Sequence, residues 1–294
     1  MAIYHCSFSV GSRSSGSSSI ASAAYREGEK IEDKRTGIIH DYSRKSDVIE
    51  SMILAPKNAP EFCKNSSDLW NEVERTEKRK DSQLFREVTL ALPREQSHEQ
   101  NKNCVEDYCT KNFTDKGMVA HLSYHESKNE NPHVHIMLTM RELNKKGFGQ
   151  KNRSWNSKEN LNNWREDWAN TVNNHLEKNM IDQSIDHRSL RDQGLSRAPQ
   201  IHVGSSAMEM EKRGVKSERG ELNREIIVKN LTLIKENIQQ TITEGIDQFK
   251  QRFKEHKKIQ KDAKLKAQQE LRAQQRIERQ ERQRQRSPDI GMTR

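Results

Sequence analysis

The stretch VAHLSYHESKNENPHVHIMLTM, residues 119–140, holds four of the eleven histidines in the 294-residue chain. Two runs with alternating apolar residues flank the turn-rich sequence SKNENP, and this pattern predicts a β-hairpin. His133 and His135 share one face of the second strand, because alternate residues of a strand point the same way. If the hairpin pairs symmetrically, His125 lies opposite His133, with about 5 Å between their Cβ atoms. The sequence therefore predicts three imidazoles on one face.

Three close imidazoles bind a divalent metal ion well when they are neutral, and they repel one another when protonated. The alternative is that they are ordinary histidines on one side of a hairpin. The H-x-H pair alone is weak evidence, since it also occurs in cupins and metallohydrolases. The chain has no H-E-x-x-H sequence and no cysteine-rich zinc pattern. Three histidine ligands leave open coordination positions, which favours a catalytic metal over a structural one. His121 shares this face but lies farther along its strand, outside the expected ligand set.

The composition limits the class of protein. Only 31% of the residues are hydrophobic and 32% are charged, so a core is expected in part of the chain but not along all of it. No apolar run approaches the ~18 residues of a membrane span, and the N-terminus MAIYHCSFSV does not resemble a signal peptide. We therefore expect a cytoplasmic protein without membrane insertion. The four cysteines contain no C-x-x-C pair, which favours reduced thiols over a disulfide framework.

The residues before the hairpin alternate between strand and helix patterns. Residues 3–8 predict a strand, and the following sequence GSRSSGSSS is typical of a flexible polar loop. The run IASAAYREGEKI from Ile20 predicts a helix that carries Tyr25. The sequence SSDLWNEVERTEKRK predicts a second helix, with Ser66 or Ser67 as its N-cap.

Three further elements belong to the same region. The sequence LFREVTLALP predicts a strand in which Glu87 points to the face opposite Val88. Residues 95–117 predict a helix, and residues 157–178 predict a longer one whose tryptophans recur at helical spacing. This spacing indicates that Trp164 and Trp168 lie in the core and do not stack on a ligand.

The C-terminal part of the chain has a different character. We expect a helical appendage from Met208 to Arg294, with an apolar stripe that is typical of a coiled coil or a partner-binding helix. Between Lys254 and Arg286 there are twelve Lys/Arg and five Asp/Glu, so this segment carries +7 of the total net charge of +9. Such a segment attracts polyanions without regard to sequence, although a solvated charged helix is the alternative.

Several sequences of the chain together resemble one protein family. In order, they are MAIYH, ASAAYREGEK, LFREVTLALP, HESKNENPHVHIML and IDHRSLRDQGLSRAPQIHVG. They resemble the relaxase domain of the MobA/MobL class of plasmid mobilisation proteins, over residues 1 to about 204. These are HUH endonucleases, named for two histidines around a hydrophobic residue, here His133, Val134 and His135. In that family the nucleophilic tyrosine precedes the HUH motif, and Tyr25 fits this order.

The resemblance implies an α+β fold: an antiparallel β-sheet flanked by helices, followed by a mainly helical C-terminal extension. We expect a relaxase domain at residues 1–205 and a basic helical extension at 206–294, which could self-associate. The implied function is to nick one strand of single-stranded DNA at a plasmid origin of transfer, through a 5′-phosphotyrosyl intermediate. The implied partners are that DNA, accessory mobilisation proteins and the coupling protein of a type IV secretion system.

The resemblance also assigns roles to site residues. Tyr25 would be the nucleophile, and because a phenol has an ordinary pKa near 10 it needs a base or a nearby cation. The histidines, His125, His133 and His135, would hold Mg²⁺ or Mn²⁺ and thereby polarise the scissile phosphate. For Glu87 three roles stay open: general base, support of a metal ligand, or fourth ligand.

Five basic residues are candidates for contacts to DNA: Arg13, Lys151, Arg153, His187 and Arg188. For the last two, local hydrogen bonding beside Asp186 is the alternative. Two other functions are considered. A non-catalytic DNA-binding or assembly protein would keep the fold and use the tail. A cupin-like metalloenzyme acting on a small molecule would leave Tyr25 and the basic tail without a role.

Overall fold

The computed structural model describes residues 4–57, 59–126 and 131–286. Within these residues the helices are α1 Ser19–Glu27, α2 Ser66–Thr76, α3 His98–Asn112, α4 Lys158–Lys178, α5 Ser205–Lys212 and α6 Glu218–Arg286. The strands are β1 Cys6–Ser12, β2 Lys30–Asp33, β3 Ile38–Asp41, β4 Val48–Leu54, β5 Gln83–Ala91, β6 Ala120–His125, β7 His133–Thr139, β8 Arg141–Asn144 and β9 Gly147–Lys151. This arrangement confirms the predicted α+β class.

Five strands form one antiparallel sheet in the order β1-β5-β7-β6-β4, so the H-x-H strand β7 lies at its centre. The predicted hairpin register is confirmed, because His125 pairs with His133. Residues 127–130 of the predicted turn lie outside the described residues. Two small hairpins, β2 with β3 and β8 with β9, stand apart from this sheet.

One face of the sheet packs against α3 and α4. Its core includes Val88 from β5, Leu122 from β6 and Ile136 from β7, each fully buried. Trp164 and Trp168 lie in this core, as predicted. Because full burial of one large apolar side chain contributes about 1.5–3 kcal/mol, this cluster is a major source of stability.

The opposite face is also largely covered, although the alternation had suggested a face that mainly gathers imidazoles. Helices α1 and α2 bring Ile20 and Leu69 into a second core, where they pack with Met137 of β7. Met137 shares its face with His133 and His135, so one face of β7 is apolar at one end and polar at the other. The three histidines at the polar end stand beside this second core.

The structure differs from two local predictions, the flexible serine-rich loop and the serine cap of α2. The serine-rich stretch predicted as a flexible loop is ordered, because Ser12 and Ser18 use their side-chain oxygens to cap the short 3-10 turn at Arg13–Ser15 and helix α1. Helix α2 is capped by Asn65 rather than by a serine, since its side chain accepts a hydrogen bond from the Asp68 N–H.

The described chain divides into two units, the first ending at Arg188 and the second beginning at Ser189. The predicted boundary near residue 205 stays a prediction. The second unit contains α5 and α6, separated near Gly214, whose positive φ of 78° suits glycine. None of the described helices combines the length and apolar character that a membrane crossing demands. The four cysteines are buried free thiols, as expected.

His121 has a structural role in the second core. Its Nδ1 accepts a hydrogen bond from Trp70 Nε1 at 3.1 Å, and its Nε2 donates to Ser51 Oγ at 3.0 Å. Burial lowers the pKa of His121 to about 4. The unfolded chain therefore takes up this proton first as the pH falls below about 6.5, and stability is lost between that pH and about 4.

We predict that His121→Gln weakens the pH dependence of folding, because glutamine does not titrate and can both accept and donate a hydrogen bond. The difference in unfolding free energy between pH 7 and pH 5 should be smaller by about 2 kcal/mol than in the unaltered protein. Urea titrations followed by tryptophan fluorescence measure this difference. Equal pH dependence in the two proteins would show that His121 is not the titrating group.

Candidate metal centre and nucleophile

Three imidazoles converge where β6 ends and β7 begins. His125, His133 and His135 offer ligand nitrogens that all lie within 4.8 Å of one another. Their ring centroids are 5.0 to 5.4 Å apart. Antiparallel pairing places the first opposite the second, and the strand alternation places the third on the same face. The predicted cluster is therefore present in the structure.

Hydrogen bonds determine which nitrogen of each ring is available. His125 Nε2 donates to the carbonyl oxygen of Arg26 at 2.6 Å, and His133 Nδ1 donates to that of Asn131 at 2.8 Å, since a carbonyl oxygen can only accept. His135 Nδ1 donates to Glu87 Oε1 at 3.0 Å. The lone pairs therefore remain on Nδ1 of His125 and on Nε2 of the other two rings.

The surroundings favour the neutral form of two of these rings, His125 and His135. Burial lowers the pKa of His125 to about 4, and a backbone hydrogen bond to Arg26 opposes this shift only in part. Burial also lowers the pKa of His135, despite the opposing effect of the Glu87 carboxylate. Neutral imidazoles with free lone pairs are good ligands for a divalent ion. The three side chains thus fit a divalent metal ion.

Glu87 lies at a junction between the sheet and helix α1. Its Oε1 accepts from His135 Nδ1 and from Arg26 Nε, the latter at 2.6 Å. Burial by itself would raise the pKa of Glu87, but the His135 and Arg26 partners lower it to about 2. A carboxylate with so low a pKa is a poor proton acceptor at neutral pH. Its geometry fits a group that orients a metal-binding histidine.

The end of helix α1 is attached directly to the histidine cluster. Gly28, with φ of 71°, caps the helix and donates its N–H to the Ala24 carbonyl. The preceding carbonyls of Tyr25 and Arg26 find partners outside the helix. Lys45 Nζ donates to the first at 3.0 Å, and His125 donates to the second.

Tyr25 therefore stands at the edge of the site. The residue is 44% exposed, and its ring meets the Tyr42 ring edge-on, with centroids 5.2 Å apart. Lys45 Nζ lies 4.0 Å from the centroid of the Tyr25 ring. The adjacent residue Arg26 contacts both Glu87 and His125. The structure thus joins the predicted nucleophile to the predicted metal ligands through one residue.

Sequence reasoning missed three charged residues around this site: Arg26, Lys45 and Asp47. Asp47 Oδ2 lies 3.6 Å from His125 Nδ1, where it adds negative charge beside the available lone pair. Asp47 also lies 3.6 Å from Lys45 Nζ. The local pattern of the sequence DYSRKSD indicates only a polar connection between β3 and β4, so it contains no signal for these contacts.

Two candidate DNA contacts are engaged inside the protein. Arg13 donates to the carbonyl oxygens of Glu77 and Arg79 and pairs with the Glu74 carboxylate. Lys151 Nζ donates to Glu77 Oε2 at 3.1 Å and to a backbone carbonyl at 2.7 Å. These bonds give both cations a structural role, since a phosphate would compete with buried carboxylates.

The remaining basic candidates lie nearer to solvent. Arg153 is exposed in the short turn that follows β9, and His187 is half-buried. Arg188 is exposed and pairs with Asp186 at 2.7 Å, and its N–H also bonds that carboxylate. The local hydrogen bonding considered for this segment is therefore present. Contact with DNA stays a prediction for all five residues.

The sequence of the chain matches a known protein family. Residues 17–213 match the model of the MobA/MobL family. The conjugal transfer protein TraA of Agrobacterium fabrum is 36% identical over 274 residues, covering 81% of this chain and 25% of that protein. Mobilization protein A of Escherichia coli is 32% identical over 254 residues, covering 80% of this chain and 34% of that protein.

A solved structure is also similar. It comes from work on the molecular basis of vancomycin resistance transfer in Staphylococcus aureus. Its sequence is 34% identical to this chain, and the two structures superpose with a TM-score of 0.60. The match covers 64% of this chain and 100% of that one, so the two share a fold. The chain spans about a quarter of the length of the TraA relatives that it matches.

We predict that Glu87→Gln weakens binding of Mn²⁺ by about 10- to 100-fold, because the amide can still accept from His135 but no longer supplies negative charge. Isothermal titration calorimetry measures the affinity, and His133→Ala, which removes a ligand, should weaken it further. Glu72→Gln removes a carboxylate that pairs with Arg75 on the surface of α2, and it should bind like the unaltered protein. Equal affinity in the Glu87 variant would contradict its supporting role.

Proposed function

The chain belongs to the MobA/MobL family, and on that premise we propose that it is a DNA relaxase. It nicks one strand at a plasmid origin of transfer and so initiates conjugative mobilisation. The observation that supports this proposal most directly is the hydrogen bond between His125 and the Arg26 carbonyl. It holds the helix end that carries Tyr25 against a cluster of histidines suited to a divalent ion.

The proposed reaction is a transesterification. The phenolic oxygen of Tyr25 attacks the scissile phosphorus, the bond to the 3′ oxygen breaks, and that oxygen takes up a proton. The tyrosine remains linked to the 5′ phosphate, so the bond energy is retained and the strand can later be rejoined. The exposed position of Tyr25 at a helix end leaves its side chain accessible to a single strand.

His125, His133 and His135 would hold Mg²⁺ or Mn²⁺ through their ring nitrogens. When bound, this ion supplies Lewis-acid polarisation of the phosphate, which contributes several kcal/mol to such reactions. Glu87 acts by orienting His135 and by holding Arg26, not as the general base. The partly exposed rings of His133 and His135 give the substrate a route to this centre.

We assign the relaxase activity to residues 1–205 and an accessory role to residues 206–294. Single-stranded DNA is the substrate. The five candidate contacts with its backbone are Arg13, Lys151, Arg153, His187 and Arg188, of which the last three lie nearer to solvent. Accessory mobilisation proteins and the coupling protein of a type IV secretion system are the proposed protein partners.

We predict that the purified protein becomes covalently attached to a cognate single-stranded oligonucleotide in the presence of Mg²⁺ or Mn²⁺. Tyr25→Phe should abolish this adduct, because phenylalanine has no nucleophilic oxygen. Tyr42→Phe is a matched control, since it removes a neighbouring hydroxyl and keeps the ring packed against Tyr25. A slower band on a denaturing gel reports the adduct.

An adduct that persists in Tyr25→Phe would mean that another residue is the nucleophile. If the unaltered protein binds the oligonucleotide tightly yet never forms an adduct, the non-catalytic assembly function is favoured instead.

The long helix α6 supports two further roles. Its exposed apolar residues recur every three or four positions: Ile227, Leu231, Ile234, Ile238, Ile242, Ile246, Phe249 and Phe253. Such a stripe suits pairing with a second copy of the chain. Beyond it, residues 254–286 carry a net charge of +7 and suit a nonspecific contact with DNA.

We predict that ending the chain after Phe253 weakens DNA binding and makes it less sensitive to salt, because fewer counterions are released. For single strands the slope of log K against log salt changes by about 0.7 for each phosphate that the shortened protein no longer neutralises. Fluorescence anisotropy at several salt concentrations measures this slope. Adduct formation at low salt should persist, and an unchanged slope would contradict the role of the basic segment.

A further inference from the structure

The segment of residues 42–47, which connects β3 to β4, packs against one side of Tyr25. Tyr42 meets the ring of Tyr25 nearly perpendicularly, at 88°. The ammonium of Lys45 lies over that ring, 4.0 Å from its centroid, and donates to the Tyr25 carbonyl at 3.0 Å. One lysine therefore contacts both the backbone and the aromatic face of the same residue.

Two cations lie near the Tyr25 ring, and they differ in how fully they are neutralised. The guanidinium carbon of Arg26 is 5.1 Å from the ring centroid, and Arg26 bonds Glu87 at 2.6 Å. Lys45 is closer to the ring, and its carboxylate partner Asp47 is 3.6 Å away and 43% exposed. The field of Lys45 at the ring is therefore less completely cancelled.

We propose that Lys45 is a positioning residue for Tyr25: it holds the ring at the end of α1 and stabilises the phenolate that attacks DNA. This inference rests on the proposed function of Tyr25. Nothing in the spacing of the sequence connects these residues, which are brought together only by the fold.

The contact of the Lys45 ammonium with the Tyr25 ring is stronger for a phenolate than for a phenol. A cation above a neutral ring is attracted by the ring quadrupole alone. When the proton leaves for solvent, the negative charge spreads into the ring, and the attraction becomes one between opposite charges. The ammonium keeps its own protons throughout. Only 17% of the Lys45 side chain is exposed, so solvent reaches this interaction mainly from the side of the exposed Tyr25 ring.

Burial is the largest influence on the Lys45 ammonium and lowers its pKa, and Arg26 contributes in the same direction. The Asp47 carboxylate opposes this shift in part and favours the charged form. Asp47 also approaches His125. Among the described residues, the charged and titratable groups around Tyr25 include Arg26 on its own helix, Tyr42, Lys45 and Asp47 on the segment of residues 42–47, and His125 at the next carbonyl.

Single-turnover adduct formation measured across pH tests the proposal. Lys45→Met should lower the rate at pH 7 by about tenfold. The pH at which the rate begins to rise should also be higher in this variant. At still higher pH the rates of the variant and of the unaltered protein should become equal. Lys45→Arg should restore much of the profile, because it retains the charge. Lys64→Met removes an exposed lysine that pairs with Glu61 at 2.8 Å, and it should leave the profile unchanged.

Two results would overturn the proposal and leave Lys45 only a structural role. One is a Lys45→Met variant that is slower by the same factor at every pH. The other is a Lys45→Arg variant that is as slow as Lys45→Met.

A second measurement does not depend on DNA cleavage. The ultraviolet absorbance of phenolate, taken as the difference between the protein and its Tyr25→Phe variant, is recorded against pH. Replacing Lys45 by methionine should move this signal to higher pH, and an unmoved signal refutes the proposal. If this signal moves while no adduct forms in the unaltered protein, the proposed function fails but the role of Lys45 stands.

Discussion

The hydrogen bond from His125 Nε2 to the carbonyl oxygen of Arg26 joins the two parts from which the site is built. The imidazole belongs to the central hairpin of the sheet, and the carbonyl belongs to the last turn of α1. A helix end leaves carbonyl groups without partners inside the helix, so it needs donors from elsewhere. Two such donors, His125 and Lys45, are both part of the site, and the fold thereby couples the stability of a helix end to the placement of Tyr25.

The sheet explains why this junction lies where it does. One face of the sheet is filled by the core against α3 and α4, and the other is covered by α1 and α2. Strand β7 presents Met137 to the second core, whereas His133 and His135, nearer the start of the strand, stay partly exposed. The same strand therefore anchors the fold and presents ligands at its end. This arrangement keeps the imidazoles rigid while leaving them within reach of a substrate.

Hydrogen bonding also determines what each charged group can do. Glu87 is held by His135 and Arg26, so its carboxylate is stabilised in the ionised form and serves orientation rather than proton transfer. Arg13 and Lys151 are only partly exposed, because each pairs with a buried carboxylate. Lys45 differs from them, because it lies over an exposed aromatic ring with an incompletely paired charge.

Features that depend on near neighbours in the chain could be predicted from the sequence. Strand alternation was enough to place His125, His133 and His135 on one face, and helical spacing was enough to bury Trp164 and Trp168. Motif order further identified Tyr25 and Glu87 as candidates. The partners of Glu87, the bonds of Arg13 within the protein and the position of Lys45 over Tyr25 depend on the tertiary fold. Those contacts join residues 20 to 66 positions apart, and a periodic pattern carries no information about which distant side chain satisfies a given donor or acceptor. Only the packing of helices on both faces of the sheet brings them within hydrogen-bonding distance.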